Sequence, residues 1–128
     1  MKAEDFRVGN LVRVKSSKVA IPITLIRLSN FSVGMEDIEP IPVTEGVLSD
    51  FGFEKVVDNR GVTGYVEYEL CVGQVNIVVE KEKLPKYEDD EFKFYLDDCY
   101  LKHIEYVHQV QNLYYAVSGE ELSLRSYF

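Results

Sequence analysis

The sequence has no tryptophan, two cysteines (Cys71 and Cys99), two histidines (His103 and His108) and four prolines in 128 residues. Two cysteines 28 positions apart are too few for the disulfide framework of a small secreted domain, and they point to free thiols in a reducing compartment. With no C-x-x-C or H-E-x-x-H there is no ready zinc set. No run reaches 18 apolar residues, which excludes a membrane-spanning helix, and Met1-Lys2-Ala3-Glu4-Asp5 leads into no apolar stretch, so no signal peptide is expected. A nucleophile elbow, a phosphate-binding loop and a dinucleotide fingerprint are all missing. Nucleophilic catalysis needs Ser or Cys beside His with an orienting acid, and nothing marks such a trio. The expectation is a cytoplasmic non-enzyme, with no catalytic residue, no cofactor and no membrane association; a metal-dependent or hydrolytic enzyme is the lesser alternative.

What is present is the balance of an ordinary globular protein, 46% apolar and 28% charged. A chain of this length fits one domain and buries roughly two-thirds of its unfolded surface without staples. Nine tyrosines and seven phenylalanines, with many β-branched residues, favour sheet.

The net charge of −8 is unevenly spread, with +1 over residues 1–43 and −9 over residues 44–128. An acidic body repels phosphate backbones, so a protein partner is expected before a nucleic acid. The first 28 residues differ, since Lys2, Arg7, Arg13, Lys15, Lys18 and Arg27 meet only Glu4 and Asp5 there. Those bases are read as a solvated strand face, with a nucleic-acid patch as the alternative.

Along the chain, Gly9-Asn10 is turn chemistry before a strand at Leu11, Val12 and Val14. A second run over 19–28 offers Ile21, Ile23, Leu25 and Leu28 to the core, and Pro22 marks an edge or a bulge. A third short strand or turn is expected over 30–35, and the prolines keep 38–43 extended. This cluster over 1–43 suggests a small SH3-like half-barrel. Thr44 then caps a short helix over 44–52, with Val47, Leu48 and Phe51 on one face and Gly52 as its stop. Residues 53–104 alternate as antiparallel strands. Glu67 and Glu69 interleave with Val66, Tyr68 and Leu70, and Gly73-Gln74 reads as a type II′ hairpin turn. Asn59-Arg60-Gly61 is a turn, and the charged stretch 81–91 is a loop. Tyr106, Val110, Leu113, Tyr114 and Val117 share one face of a helix over 105–118 that ends at Gly119. The fold class is therefore α+β: an SH3-like antiparallel strand cluster plus a second small antiparallel sheet packed by the C-terminal helix, read as a single domain.

Residues 104–122, Ile-Glu-Tyr-Val-His-Gln-Val-Gln-Asn-Leu-Tyr-Tyr-Ala-Val-Ser-Gly-Glu-Glu-Leu, resemble the recurring V-H-Q-L-Q-N-L-Y-x-A-L-T-G-E-E-L ending of an uncharacterised family of small prophage and mobile-element proteins from anaerobic gut bacteria. Met1 to Leu11 and Pro40 to Phe53 are similar to the same family, in the same order, with Gly46-Val47 where its pattern has Glu-Trp. The resemblance implies an accessory protein of a mobile element and carries over no functional residue.

Three constellations remain. Asp97-Asp98-Cys99-x₃-His103 is the best set of potential metal ligands, and also reads as a polar turn before a strand. Glu88-Asp89-Asp90-Glu91 lacks the alternation and the glycine of a calcium loop, and reads as a solvated loop. His108, Gln109, Gln111 and Asn112 form the candidate interaction surface, able to meet a peptide backbone or a base edge. The alternative is that they hydrogen-bond neighbouring loops or sheet edges. The same helix face is also a candidate for homo-oligomer contact.

Overall fold

The computed structural model describes residues 6–24, 31, 38–59, 65–82 and 91–122. Its described elements are two antiparallel sheets and two helices. The first sheet has β1 (Leu11–Val14), β2 (Ala20–Pro22) and β3 (Ile38–Glu39) in the order β2-β1-β3. The second is a five-stranded meander of β4 (Glu54–Asn59), β5 (Tyr65–Val72), β6 (Val75–Glu82), β7 (Glu91–Leu96) and β8 (Cys99–Leu101). Helix α1 is Glu45–Asp50 and helix α2 is Val107–Ser118. The class is α+β. The chain divides into two compact units, Met1–Val43 with Tyr106–Phe128, and Thr44–Glu105.

In the first unit, Phe6, Val12, Ile23 and Ile38 form a buried cluster, with Ile21 and Phe31 partly buried against it. The turn at Val8-Gly9 depends on glycine, because Gly9 has φ 94°. Its N–H donates to the Ile23 carbonyl at 2.9 Å, and Ile23 N–H returns a bond to the Asn10 carbonyl at 2.8 Å, which extends the β1–β2 ladder. Pro22 lies on the edge strand, opposite Leu11, where a missing donor is tolerated. The strand or turn expected over 30–35, together with Leu25 and Leu28, lies outside the described residues except for Phe31, whose ring meets Phe6 edge-on at 5.6 Å.

Helix α2 belongs to this unit, which corrects two expectations. It packs on β1, within the first unit. It also buries Val107, His108, Val110 and Gln111, whereas Leu113, Tyr114 and Val117 of the expected stripe are half-buried. The helix is turned by about one position because polar backbone at the start of β1 faces it and needs partners there. The helix is tied at its start by Val107 N–H to the Ile41 carbonyl at 2.8 Å and by a bridge between Pro42 and Tyr106. Gln109 Oε1 accepts the Tyr106 N–H at 3.0 Å, and Gly119 (φ 75°) closes the far end.

In the second unit, Thr44 Oγ1 accepts the Val47 N–H at 3.2 Å, and Val47 and Leu48 are the buried side of α1. Phe53 N–H to the Leu48 carbonyl at 3.0 Å, with Gly52 at φ 95°, ends the helix in a Schellman-type turn. Val72 pairs with Val75 across Gly73-Gln74, and positive φ at Gly73 but not Gln74 is the II′ pattern. The inward face of the meander carries Val66, Tyr68, Ile77, Val79 and Phe94, aligned by the ladder Tyr68–Val79–Phe94.

The loop expected from residue 81 begins later, since β6 runs through Glu82. Lys81 is inward-facing and 8% exposed. It pairs with Glu45 at 3.0 Å, and Glu45 also accepts the Tyr68 hydroxyl at 2.6 Å. A buried ammonium with a carboxylate partner continues the strand that its charge disguises. Residues 83–90, with the acids at 88–90, lie outside the described residues, as does the expected turn beyond Asn59.

Candidate functional site

The four polar residues of the C-terminal helix do not form an exposed surface. His108 is 1% and Gln111 3% exposed. Gln111 Oε1 accepts the Leu11 N–H at 2.7 Å. Asn112 Oδ1 accepts from Asn10 Nδ2 at 2.8 Å and from Arg7 Nε at 3.1 Å. Asn10, itself fully buried, accepts the Arg7 N–H at 2.6 Å. The His108 ring is tilted against Phe6 at 4.6 Å and stacked with Tyr106 at 5.9 Å. Gln109 caps its own helix. These side chains hold the first unit together, as the loop-bonding alternative has it, because unpaired backbone donors inside a fold are costly.

The basic N-terminal residues are largely matched by acids. The Glu39 carboxylate receives both Arg13 and Lys18 at 2.6 Å. Those two cations hold the Glu39 carboxyl below its ordinary value, Lys18 contributing most. Arg7 donates through both terminal nitrogens to Glu121 and lies 4.3 Å over the Tyr115 ring. Lys2 and Arg27 lie outside the described residues.

The potential metal ligands at 97–103 are dispersed among turn and strand roles. Asp97 takes φ 50° in the β7–β8 turn and its Oδ1 accepts the Asn76 N–H at 3.0 Å. Asp98, Cys99 and His103 are exposed, and no group of three His, Cys, Asp or Glu is placed to share an ion among the described residues. Cys71 and Cys99 are both exposed free thiols. They sit on β5 and β8 with two strands between them, about 14 Å of sheet, well beyond disulfide reach.

A different face gathers chemistry. The outward side of the meander carries Tyr65, Glu67 and Glu69 on β5, Val78 and Glu80 on β6, Lys93 and Tyr95 on β7, and Tyr100 on β8. Register sets them in rows: Glu67–Glu80–Lys93, and Glu69–Val78–Tyr95–Tyr100. The Tyr95 and Tyr100 rings are 5.4 Å apart, and Tyr100 is 46% exposed. The Tyr65 hydroxyl donates to Glu67 Oε1 at 3.1 Å. Burial first, then hydrogen bonding to Glu80 and Glu67, raises the Tyr65 phenol well above the ordinary tyrosine value. Burial and the Glu80 carboxylate raise Tyr95 in the same direction. Glu80 is thus held between two phenols, which fixes ring orientation on a rigid sheet.

Beside this face lies a cleft of about 400 Å³ lined by Gly52, Glu54, Val56, Glu69, Leu70 and Cys71. Glu54 and Glu69 are directly opposite across β4 and β5. The β-bulge between Lys55 and Val57 leaves Val56 exposed on its rim. The sequence pattern singles out Glu67 and Glu69 but not Tyr65, Glu80, Tyr95 or Tyr100. The alternation over 65–72 and 75–82, folded at Gly73-Gln74, is the signal that places the first of these together. Comparison with protein-family models, with curated proteins and with solved structures finds no match.

Proposed function

We propose that the chain is a non-enzymatic accessory protein of a prophage or mobile element, acting in the cytoplasm by binding another protein through the outward face of the five-stranded sheet. The observation that carries this reading is the tyrosine pair Tyr95–Tyr100 beside Val78, held on sheet strands and surrounded by ordered carboxylates. Tyrosine offers large contact area at low entropic cost and is enriched where proteins meet. The resemblance of residues 1–11, 40–53 and 104–122 supports the mobile-element setting. In the described residues those segments carry caps, turns and interlocking bonds, which supports looking to the meander for the partner surface.

Nucleic-acid binding through the N-terminal strands is the lesser reading. Pairing of Arg13 and Lys18 with Glu39, and of Arg7 with Glu121, leaves less free charge for phosphate.

A photoreactive phenylalanine analogue at position 100, with a control at position 120, tests the reading in the host during element induction. One protein crosslinked from position 100 and not from 120, and lost in Tyr95→Ala, is the expected outcome. Equal labelling from both positions counts against the face.

A further inference from the structure

We infer that the β4–β5 cleft is an anchor for an arginine side chain of the protein partner, within a basic segment lying across the tyrosine pair. This rests on the reading of the outward face as the docking surface. The cleft has room for a side chain. Its two carboxylates, Glu54 and Glu69, face each other in register with no ion pair among the described residues. One row along, Glu67 and Glu80 are also directly opposed. Like charges in register destabilise a sheet. Two such pairs on one face, with Lys93 the flanking base of the second row, violate the local rule where a binding site is expected to do so.

Charge complementarity then selects the occupant. A guanidinium is planar and donates to two carboxylates at once, while an ammonium is a point donor. The Tyr95 and Tyr100 rings lie further along the Glu69–Val78 row and offer π faces to a second guanidinium or to an apolar neighbour. The exposed Val56 on the cleft rim covers the aliphatic stem of the first arginine. The partner is therefore a basic protein segment; an acidic or phosphorylated one would be repelled.

The test uses the full chain and a fluorescein-labelled (Gly-Arg)₆ peptide, followed by anisotropy at moderate salt, with (Gly-Lys)₆ and (Gly-Glu)₆ as companions. Expected are tighter binding of the arginine peptide than of the lysine peptide and none of the acidic one. Glu54→Gln with Glu69→Gln should weaken arginine-peptide binding at least tenfold, while Asp98→Asn with Glu120→Gln, an equal change in charge, should leave it within twofold. The amides are isosteric and relieve the opposed charges, so the variant should fold at least as well, checked by circular dichroism. Equal losses in the two variants would show binding by net charge alone and overturn the inference, as would no loss in the first. If the cleft variant binds normally while crosslinking from position 100 persists, the anchor fails and the docking face stands. If the unmutated chain gives no specific crosslink from position 100 either, both fall.

Discussion

Gln111 on α2 accepts the backbone N–H of Leu11 on β1 at 2.7 Å, although 100 residues of chain separate them. Both groups are buried, so the amide does for β1 what a neighbouring strand would do elsewhere. Gln111→Leu keeps the volume and removes the acceptor. Expected is a loss of about 1–3 kcal/mol in urea unfolding, the range for an orphaned buried donor. Hydrogen exchange at the Leu11 amide should accelerate in step. A Gln111→Leu protein as stable as the parent would mean that this bond does not hold the helix to the sheet.

That bond also shows what is legible in the sequence and what is not. The helix, its glycine stop, the Thr44 cap and the Gly73-Gln74 hairpin are local, and local chemistry announces them. The buried side of α2 is not local. Hydropathy favours Leu113 and Val117, but Asn10 and Leu11 place a buried amide and a backbone donor against the helix, and these select Gln111 and Asn112. Lys81 reads as loop for the same reason, because its partner Glu45 lies on another element. The outward tyrosines are hidden because Tyr95 meets Tyr100, and Tyr65 and Tyr95 share Glu80, only once the four strands β5 to β8 are in register.

Tyr65 and Tyr95 give the second unit a distinct alkaline response. The phenols are protonated in the folded state above the ordinary value of 10.0, so the folded chain there holds more protons than the unfolded one. Stability is full below pH about 10 and falls as pH rises towards the folded values. Spectrophotometric titration at 295 nm should find two tyrosines delayed relative to free tyrosine. Tyr65→Phe should remove one of them and flatten the alkaline slope of the melting temperature. An unchanged slope would separate Tyr65 from the effect.

Glu39 works in the opposite direction. Its folded carboxyl lies below the ordinary 4.5, so its contribution is present above that value and is lost as pH falls through the lowered one. Glu39→Gln removes this and releases Arg13 and Lys18. Duplex DNA binding at low salt should then strengthen, with the salt slope steepening by roughly 0.9 for each cation that gains a phosphate. If the variant and the parent bind DNA alike, Glu39 is not what masks these bases.

Gly46 is the residue of α1 whose type works most against a helix. A Cβ there would meet Thr44 Oγ1 at 3.8 Å, an ordinary contact, and the site is exposed. Gly46→Ala should stabilise by up to about 1 kcal/mol. A calorimetric scan reads this as a higher melting temperature; a lower one would mean that the glycine's freedom is used.

The first unit is built from two stretches of chain, and residues 44–105 are inserted between them. The Pro42–Tyr106 bridge brings the two stretches side by side, about 5 Å apart, so the insertion leaves and rejoins the unit at one place. The first unit has its own buried cluster in Phe6, Val12, Ile23 and Ile38, and its own cross-links through Gln111, Asn112 and Arg7. Replacing 44–105 by a Gly/Ser linker of about four residues, a common hairpin length, should therefore leave a folded remnant. A core this small gives only marginal stability, so the measurement belongs at low temperature. Circular dichroism should retain the signal of α2, and the Leu11 amide should stay protected from exchange. Loss of both would show that the insertion is needed for the first unit to close, and the two would then be one cooperative fold.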